Sequence, residues 1–170
     1  MRFLFSPKIV LIAVLSLFAV FCGCEKDIQI RRLAPNFSLK NLSGDDISLE
    51  KFRCKVVILD FWATWCPPCR QSIPELIELQ NKYKDKGLVV LGISMDDSDQ
   101  TSNNALQDFK QQYRINYTVL WSGERVVHDF FGSEQMAIPT MFVINREGEI
   151  VAKHVGYRPG ALEKSLKGIL

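Results

Sequence analysis

Cys66 and Cys69 stand three residues apart in Trp62-Ala63-Thr64-Trp65-Cys66-Pro67-Pro68-Cys69-Arg70. Two thiols at that spacing, across a strand-to-helix junction, can close a small disulfide with little movement of the chain. The start of a helix carries unpaired N–H groups and the positive end of the dipole, which stabilise a thiolate. A free cysteine titrates near 8.5, and such a setting lowers it to roughly 3.5–7.5. Cys66 is therefore the expected nucleophile and the more exposed of the two, with Cys69, one turn in, as its resolving partner. Pro67 and Pro68 stiffen the ring between the sulfurs. A structural disulfide over so short a loop would constrain the unfolded chain little. Tetrahedral zinc needs four ligands, and the chain offers this pair plus His128 and His154, far apart in sequence. Redox chemistry is the expected use of the pair, with no metal and no cofactor.

Other residues capable of chemistry are fewer. Asp60 interrupts Val56-Val57-Ile58-Leu59-Asp60-Phe61-Trp62, six residues before Cys66. A carboxylate buried there alone would be costly and its pKa raised; the alternative is a solvated Asp at a strand end. Asp96, Asp97 and Asp99 lack the spacing, glycine and terminal Glu of a calcium loop and read as a solvated loop. Cys54 is expected to pack as a small hydrophobe, and His128 and His154 as ordinary surface or satisfied histidines.

The elements that position these groups alternate. Phe37–Leu39 and Ile47–Leu49 flank the turn-forming Ser43-Gly44-Asp45-Asp46. Residues 56–62 are almost continuously apolar, as a central strand covered on both faces requires. A helix from Cys66–Cys69 to about Lys84 places Ile73, Leu76, Ile77 and Gln80 on one face, with Pro74 inside it. Leu88–Ser94 is a second buried strand. Residues 101–113 form a polar helix capped by Thr101 or Ser102. Tyr117–Trp121 is a strand and Glu124–Phe131 a short helix. Thr140–Asn145 and Glu149–Val155 form a hairpin, and a last helix spans about Pro159 to Ile169. This order predicts an α/β fold, a three-layer α/β/α sandwich on a mixed sheet.

Ahead of that domain, Arg2 and Lys8 precede thirteen uncharged residues, Ile9 to Phe21. The stretch suits the apolar part of a signal peptide and is shorter than the roughly 20 residues of a spanning helix. Phe21-Cys22-Gly23-Cys24 resembles a bacterial lipoprotein signal. It implies cleavage before Cys24, lipidation of Cys24, a tether over residues 24–34 and one domain over residues 35–170. An uncleaved anchor and simple secretion are the alternatives, and all three put the domain outside the cytoplasm. The 170 residues carry a net charge of +2, which losing Arg2 and Lys8 would take to zero. That balance, without a basic run, gives no reason to expect nucleic acid. A monomer is expected.

The segment Asp60 to Cys69 resembles the active site of the thioredoxin superfamily. The leader, Ala34-Pro35-Asn36-Phe37 and the insertion around residues 95–116 resemble its extracytoplasmic TlpA/ResA branch, over about residues 33–168. The resemblance implies a thioredoxin-like domain with an N-terminal β-hairpin and an inserted helix. It implies a thiol–disulfide oxidoreductase, more a reductant than an oxidant, with Asp60 accepting and donating the proton of Cys69. It makes the Ile138–Pro139 bond cis; without it, Pro139 reads as a trans residue starting a strand. Trp65, Pro67, Pro68, Ile138, Pro139 and Thr140 would then border an incoming peptide. Implied partners are protein thiols and disulfides, with a membrane thiol transporter of the DsbD/CcdA type as electron source. Members serving cytochrome c maturation carry Glu three residues after the second Cys. Here that position is Ser72, and apocytochrome c is one candidate partner. Two other functions share this fold. A peroxiredoxin-type peroxidase would need Pro-x-x-x-Thr/Ser-x-x-Cys, whereas Thr64 lies two residues before Cys66. An SCO-like copper(I) chaperone would need Cys-x-x-x-Cys and a distant His.

Overall fold

A computed structural model of the protein describes residues 32–170. The leader, Cys24 and most of the expected tether lie outside the described residues. Two of the last three tether positions form a short strand, β1 (Arg32–Leu33), which pairs antiparallel with Ile150 and Glu149. Ordered pairing thus begins three residues ahead of the expected domain start.

Strands β4 (Val56–Trp62), β5 (Leu88–Ser94) and β6 (Thr118–Trp121) run parallel. On the other side of β4, β7 (Thr140–Ile144) is antiparallel and continues into β8 (Glu149–Val155). The sheet order is β1-β8-β7-β4-β5-β6, with β2 (Ser38–Lys40) and β3 (Asp46–Ser48) forming a separate hairpin. Every residue of β4 is buried, as its unbroken apolar run requires.

Alternation along β4 assigns its side chains to two cores. Val57, Leu59 and Phe61 pack with Phe130, Phe131 and Phe142, under α3 (Glu124–Phe131) and the hairpin. Val56, Ile58 and Trp62 pack with Ile73, Leu76 and Leu79 of α1 (Pro67–Tyr83). Leu106 of α2 (Asn103–Gln112) and Leu162 and Leu166 of α4 (Ala161–Leu166) complete this second core. Helices therefore cover both faces of a mixed sheet, and Asp60 is on the α1 face.

Local departures from the sequence reading have physical causes. The buried stripe of α1 is Cys69, Ser72, Ile73, Leu76 and Leu79. Gln80, half-buried, instead reaches β5: its amide donates to the Leu88 carbonyl at 3.3 Å and accepts from Val90 N–H at 2.7 Å. It thereby satisfies β5 backbone below the point where β6 pairing begins. Ser102, not Thr101, caps α2. The last helix is shorter than expected because Gly160, at φ +75°, caps its start. Cys54 is exposed rather than packed in the core. It occupies a left-handed turn position, φ +63°, between a 3-10 turn and β4, where the side chain cannot join either core.

Candidate active site

β4 delivers Trp62 at its end, and five residues later α1 begins. Cys66 is the N-cap of α1, and Pro67 and Pro68 fill the first turn, where a missing N–H leaves no helical bond unmade. The sulfurs of Cys66 and Cys69 are bonded at 2.01 Å, with Cα atoms 5.3 Å apart. The Cys69 N–H also donates to the Cys66 sulfur at 3.3 Å. When the bond is reduced, this N–H and the helix dipole favour negative charge on Cys66. Cys66 is 3% exposed and Cys69 fully buried. The difference has the expected sense but is small, and the neighbouring Trp65, Pro67 and Pro68 are the exposed residues of the motif. Trp65 is 64% exposed, the ring most open to a partner near the disulfide.

The loop between β4 and α1 is held by a residue that the sequence reading misplaced. Asp96 is buried, 6% exposed, and does not belong to a solvated loop. Its carboxylate accepts from the Thr64 N–H at 3.0 Å, the Thr64 hydroxyl at 2.5 Å and the Ser94 hydroxyl at 2.7 Å. On the far side, Arg70 Nε donates to the Thr64 carbonyl at 2.6 Å. Thr64 is thus fixed from both directions, two residues before Cys66. The available signal was the position of Asp96 just past the end of β5, the strand alongside β4.

Asp60 is fully buried, which excludes the solvated alternative. Neither carboxyl oxygen has a hydrogen-bond partner among the described residues. Burial disfavours the charged form and pushes the pKa up to about 8. Its neighbours in register are Gly92 on β5 and Met141 on β7. Ser72 is buried, and its hydroxyl donates to the Cys69 carbonyl at 2.8 Å, so it is committed to the helix backbone.

The Ile138–Pro139 peptide bond is cis. Ile138 is half-buried and packs on the core that contains Cys66 and Cys69; Pro139 is buried. The Pro139 carbonyl accepts from Gly156 N–H at 2.8 Å, and the Thr140 hydroxyl donates to the Ala137 carbonyl at 2.6 Å. Met136, 38% exposed, extends the apolar surface of this loop. The histidines are elsewhere. His128 is on the surface beside Asp129, and His154 is hydrogen-bonded to Ser165 at 2.9 Å. Among the described residues, no group of three or more His, Cys, Asp or Glu side chains is arranged to hold a metal ion.

Comparison with known proteins agrees with this geometry. Residues 30–153 match the AhpC/TSA family. The chain is 35% identical over 141 residues to the thioredoxin-like protein YneN of Bacillus subtilis, covering 83% of this chain and 80% of that one. It is 31% identical over 156 residues to the thiol-disulfide oxidoreductase ResA of Bacillus thuringiensis, covering 88% and 86%. Among solved structures, a thiol:disulfide interchange protein of the thioredoxin family from Chlorobium tepidum superposes with a TM-score of 0.72. Its identity is 28%, over 82% of this chain and 96% of that one. A cysteine pair capping a helix over a buried carboxyl, in a chain with these relatives, is a thiol–disulfide exchange centre, and the protein belongs to the AhpC/TSA family as a thioredoxin-like thiol–disulfide oxidoreductase.

Proposed function

We propose that the protein reduces disulfides in other proteins outside the cytoplasm, with Cys66 as nucleophile, Cys69 as resolving thiol and Asp60 as proton acceptor and donor. The observation that carries this reading is the unpartnered Asp60 carboxyl on the sheet face that packs against Cys66 and Cys69. In the reduced protein the Cys66 thiolate attacks a substrate disulfide. A Cys66–substrate disulfide forms and one substrate sulfur leaves as a thiolate. Cys69 then gives its proton to Asp60, and its thiolate attacks the Cys66 sulfur. The Cys66–Cys69 bond forms, the second substrate sulfur leaves, and Asp60 returns the proton. Two electrons pass from the protein to the substrate.

Trp65, Pro67 and Pro68 on one side and Ile138, Pro139 and Thr140 on the other are proposed to receive the substrate segment. An exposed indole beside the reactive sulfur supplies apolar contact area at low entropic cost. Cys24 is proposed as a lipidated N-terminus that holds the domain at the membrane; stable anchoring takes two or more acyl chains. Regeneration would come from a membrane thiol transporter of the DsbD/CcdA type. Apocytochrome c is one candidate substrate. With Ser72 bonded to the helix backbone, any acid–base help near Cys69 falls to Asp60.

The family match gives one observation in favour of a peroxidase. Against it, Thr64, the hydroxyl residue preceding Cys66, is bound to Asp96, and the Cys66 sulfur has its partner three residues away. Copper(I) binding by the two thiolates alone is the remaining reading, with no third ligand assembled among the described residues. Equilibration of the Cys66–Cys69 pair with redox buffers tests the direction. A potential near that of thioredoxin, about −270 mV, fits a reductant; one near −120 mV would make the protein an oxidant.

A further inference from the structure

Three polar side chains meet on the α1 face of the sheet with no hydrogen-bond partner among the described residues. They are Asp60, through both carboxyl oxygens, Trp62 through Nε1, and Tyr117 through its hydroxyl. All are buried: Asp60 and Trp62 fully, Tyr117 at 4% exposed. Buried polar groups are ordinarily hydrogen-bonded, so three together call for an explanation.

Gly92 explains how they come together. It is the register partner of Asp60 on the adjacent parallel strand, so its missing side chain would lie beside the carboxyl. A Cβ at that position would come within 2.8 Å of Trp62 Nε1 and 3.1 Å of Tyr117 Cε2. The indole and the phenol therefore fill the space next to Asp60 that the missing Gly92 side chain frees. Both carry donors, and a carboxylate accepts only. Tyr117 immediately precedes β6, and the charge of Asp60 raises its own pKa further, so the two groups sense one another.

We propose that Tyr117 is a positioning residue for Asp60, its hydroxyl joining the Trp62 indole N–H, both packed against Gly92, to stabilise the ionised carboxylate that receives the proton of Cys69. The inference rests on the role given to Asp60 above and adds the groups that make the role workable. Burial pushes the carboxyl up to about 8, leaving few molecules ionised at neutral pH. Donors to the charged form keep it from rising further. None of the three bonds another in the disulfide form, so the donation is made as the carboxyl ionises and sets both donor dipoles against its oxygens.

The other titratable or charged groups packed on this face are Cys66, Cys69 and Tyr83 of α1, Tyr113 at the end of α2, and Arg70, whose guanidinium lies over the Phe109 ring. His154 on β8 lies one strand beyond Met141 and is bonded to Ser165. None of them contributes to the raised pKa of Asp60, which has burial as its cause.

The test compares native protein, Tyr117→Phe and Asp60→Asn in single turnover of a disulfide peptide, following mixed-disulfide formation and decay from pH 5 to 9. Tyr117→Phe keeps the ring and removes an unpaired hydroxyl, so the fold is retained. The expected result is unchanged formation, with the acid limb of decay moved up by about one pH unit and decay at pH 7 slowed about tenfold. A profile identical to native in Tyr117→Phe, while Asp60→Asn loses the limb, overturns the inference and leaves Asp60 as the base. A limb that survives in Asp60→Asn overturns the base assignment itself. As a readout without turnover, 13C titration of the Asp60 carboxyl should give a higher midpoint in Tyr117→Phe than in native protein. Equal midpoints overturn the inference.

Discussion

Replacing Asp60 by Asn should stabilise the domain by an amount that grows with pH. Asp60 is fully buried and unpartnered, and its folded pKa is about 8 against an ordinary value of 3.8. Below 3.8 the carboxyl is protonated in both states and costs nothing through ionisation. Between 3.8 and 8 the unfolded chain releases a proton that the folded protein keeps. Stability therefore falls by about 1.4 kcal/mol for each pH unit. Above 8 both states are ionised and the loss is complete. From pH 5 to pH 7 this single group removes about 3 kcal/mol. Asn has nearly the same volume and does not titrate, and every other titration is common to both proteins and cancels in the difference. Urea unfolding of native protein and Asp60→Asn at pH 5 and pH 7 reads that difference directly. The advantage of Asn over Asp should be about 3 kcal/mol larger at pH 7, or a rise in melting temperature of roughly 10 °C more. An advantage that is the same at both pH values would refute the reasoning, since it would mean that Asp60 is ionised, and stabilised, throughout.

Asp96→Ala should cost about 2–3 kcal/mol, because it strands the Thr64 N–H and two hydroxyls that now share a charged acceptor. Thermal or urea unfolding checks this, and Asp96→Asn, which keeps one acceptor oxygen, should recover part of the loss. The same Ala variant should alkylate faster at reduced Cys66, since Thr64 no longer fixes the loop; unchanged stability and reactivity would remove Asp96 from the site. Cys24→Ser should leave an unprocessed chain and abolish labelling by a fatty-acid analogue; unchanged processing and membrane association would rule out the lipoprotein assignment.

Much of the fold could be read in advance because its signals are local and consistent. The unbroken apolar run of β4, the Pro-Pro start of α1 and the Asn145–Gly148 turn each point to one structure. The redox pair was legible for the same reason, since two cysteines and the helix that begins between them are neighbours in sequence. What escaped depends on groups far apart in the chain. Asp96 looks like one of several loop carboxylates until β5 brings it to Thr64, 32 residues away. The surroundings of Asp60 were hidden likewise: only the pairing of β4 with β5 sets Gly92 beside it, with Trp62 and Tyr117 packed into the space of the missing side chain. Cys54 was misjudged because composition favours burial of a free cysteine, while the left-handed turn it occupies turns it to the surface.

The division of labour between the two sulfurs is the centre of the account, and trapping tests it most directly. Reduced Cys69→Ser protein, with the exposed Cys54 also replaced by Ser and mixed with a disulfide-containing peptide, should accumulate a peptide adduct. Mass mapping should find it on Cys66, because attack proceeds and resolution cannot. Cys66→Ser in the same background should form no adduct at Cys69, since Cys69 is fully buried. Adducts on Cys69 in the Cys66→Ser protein at a comparable rate, or none on Cys66 in the Cys69→Ser protein, would contradict the assignment.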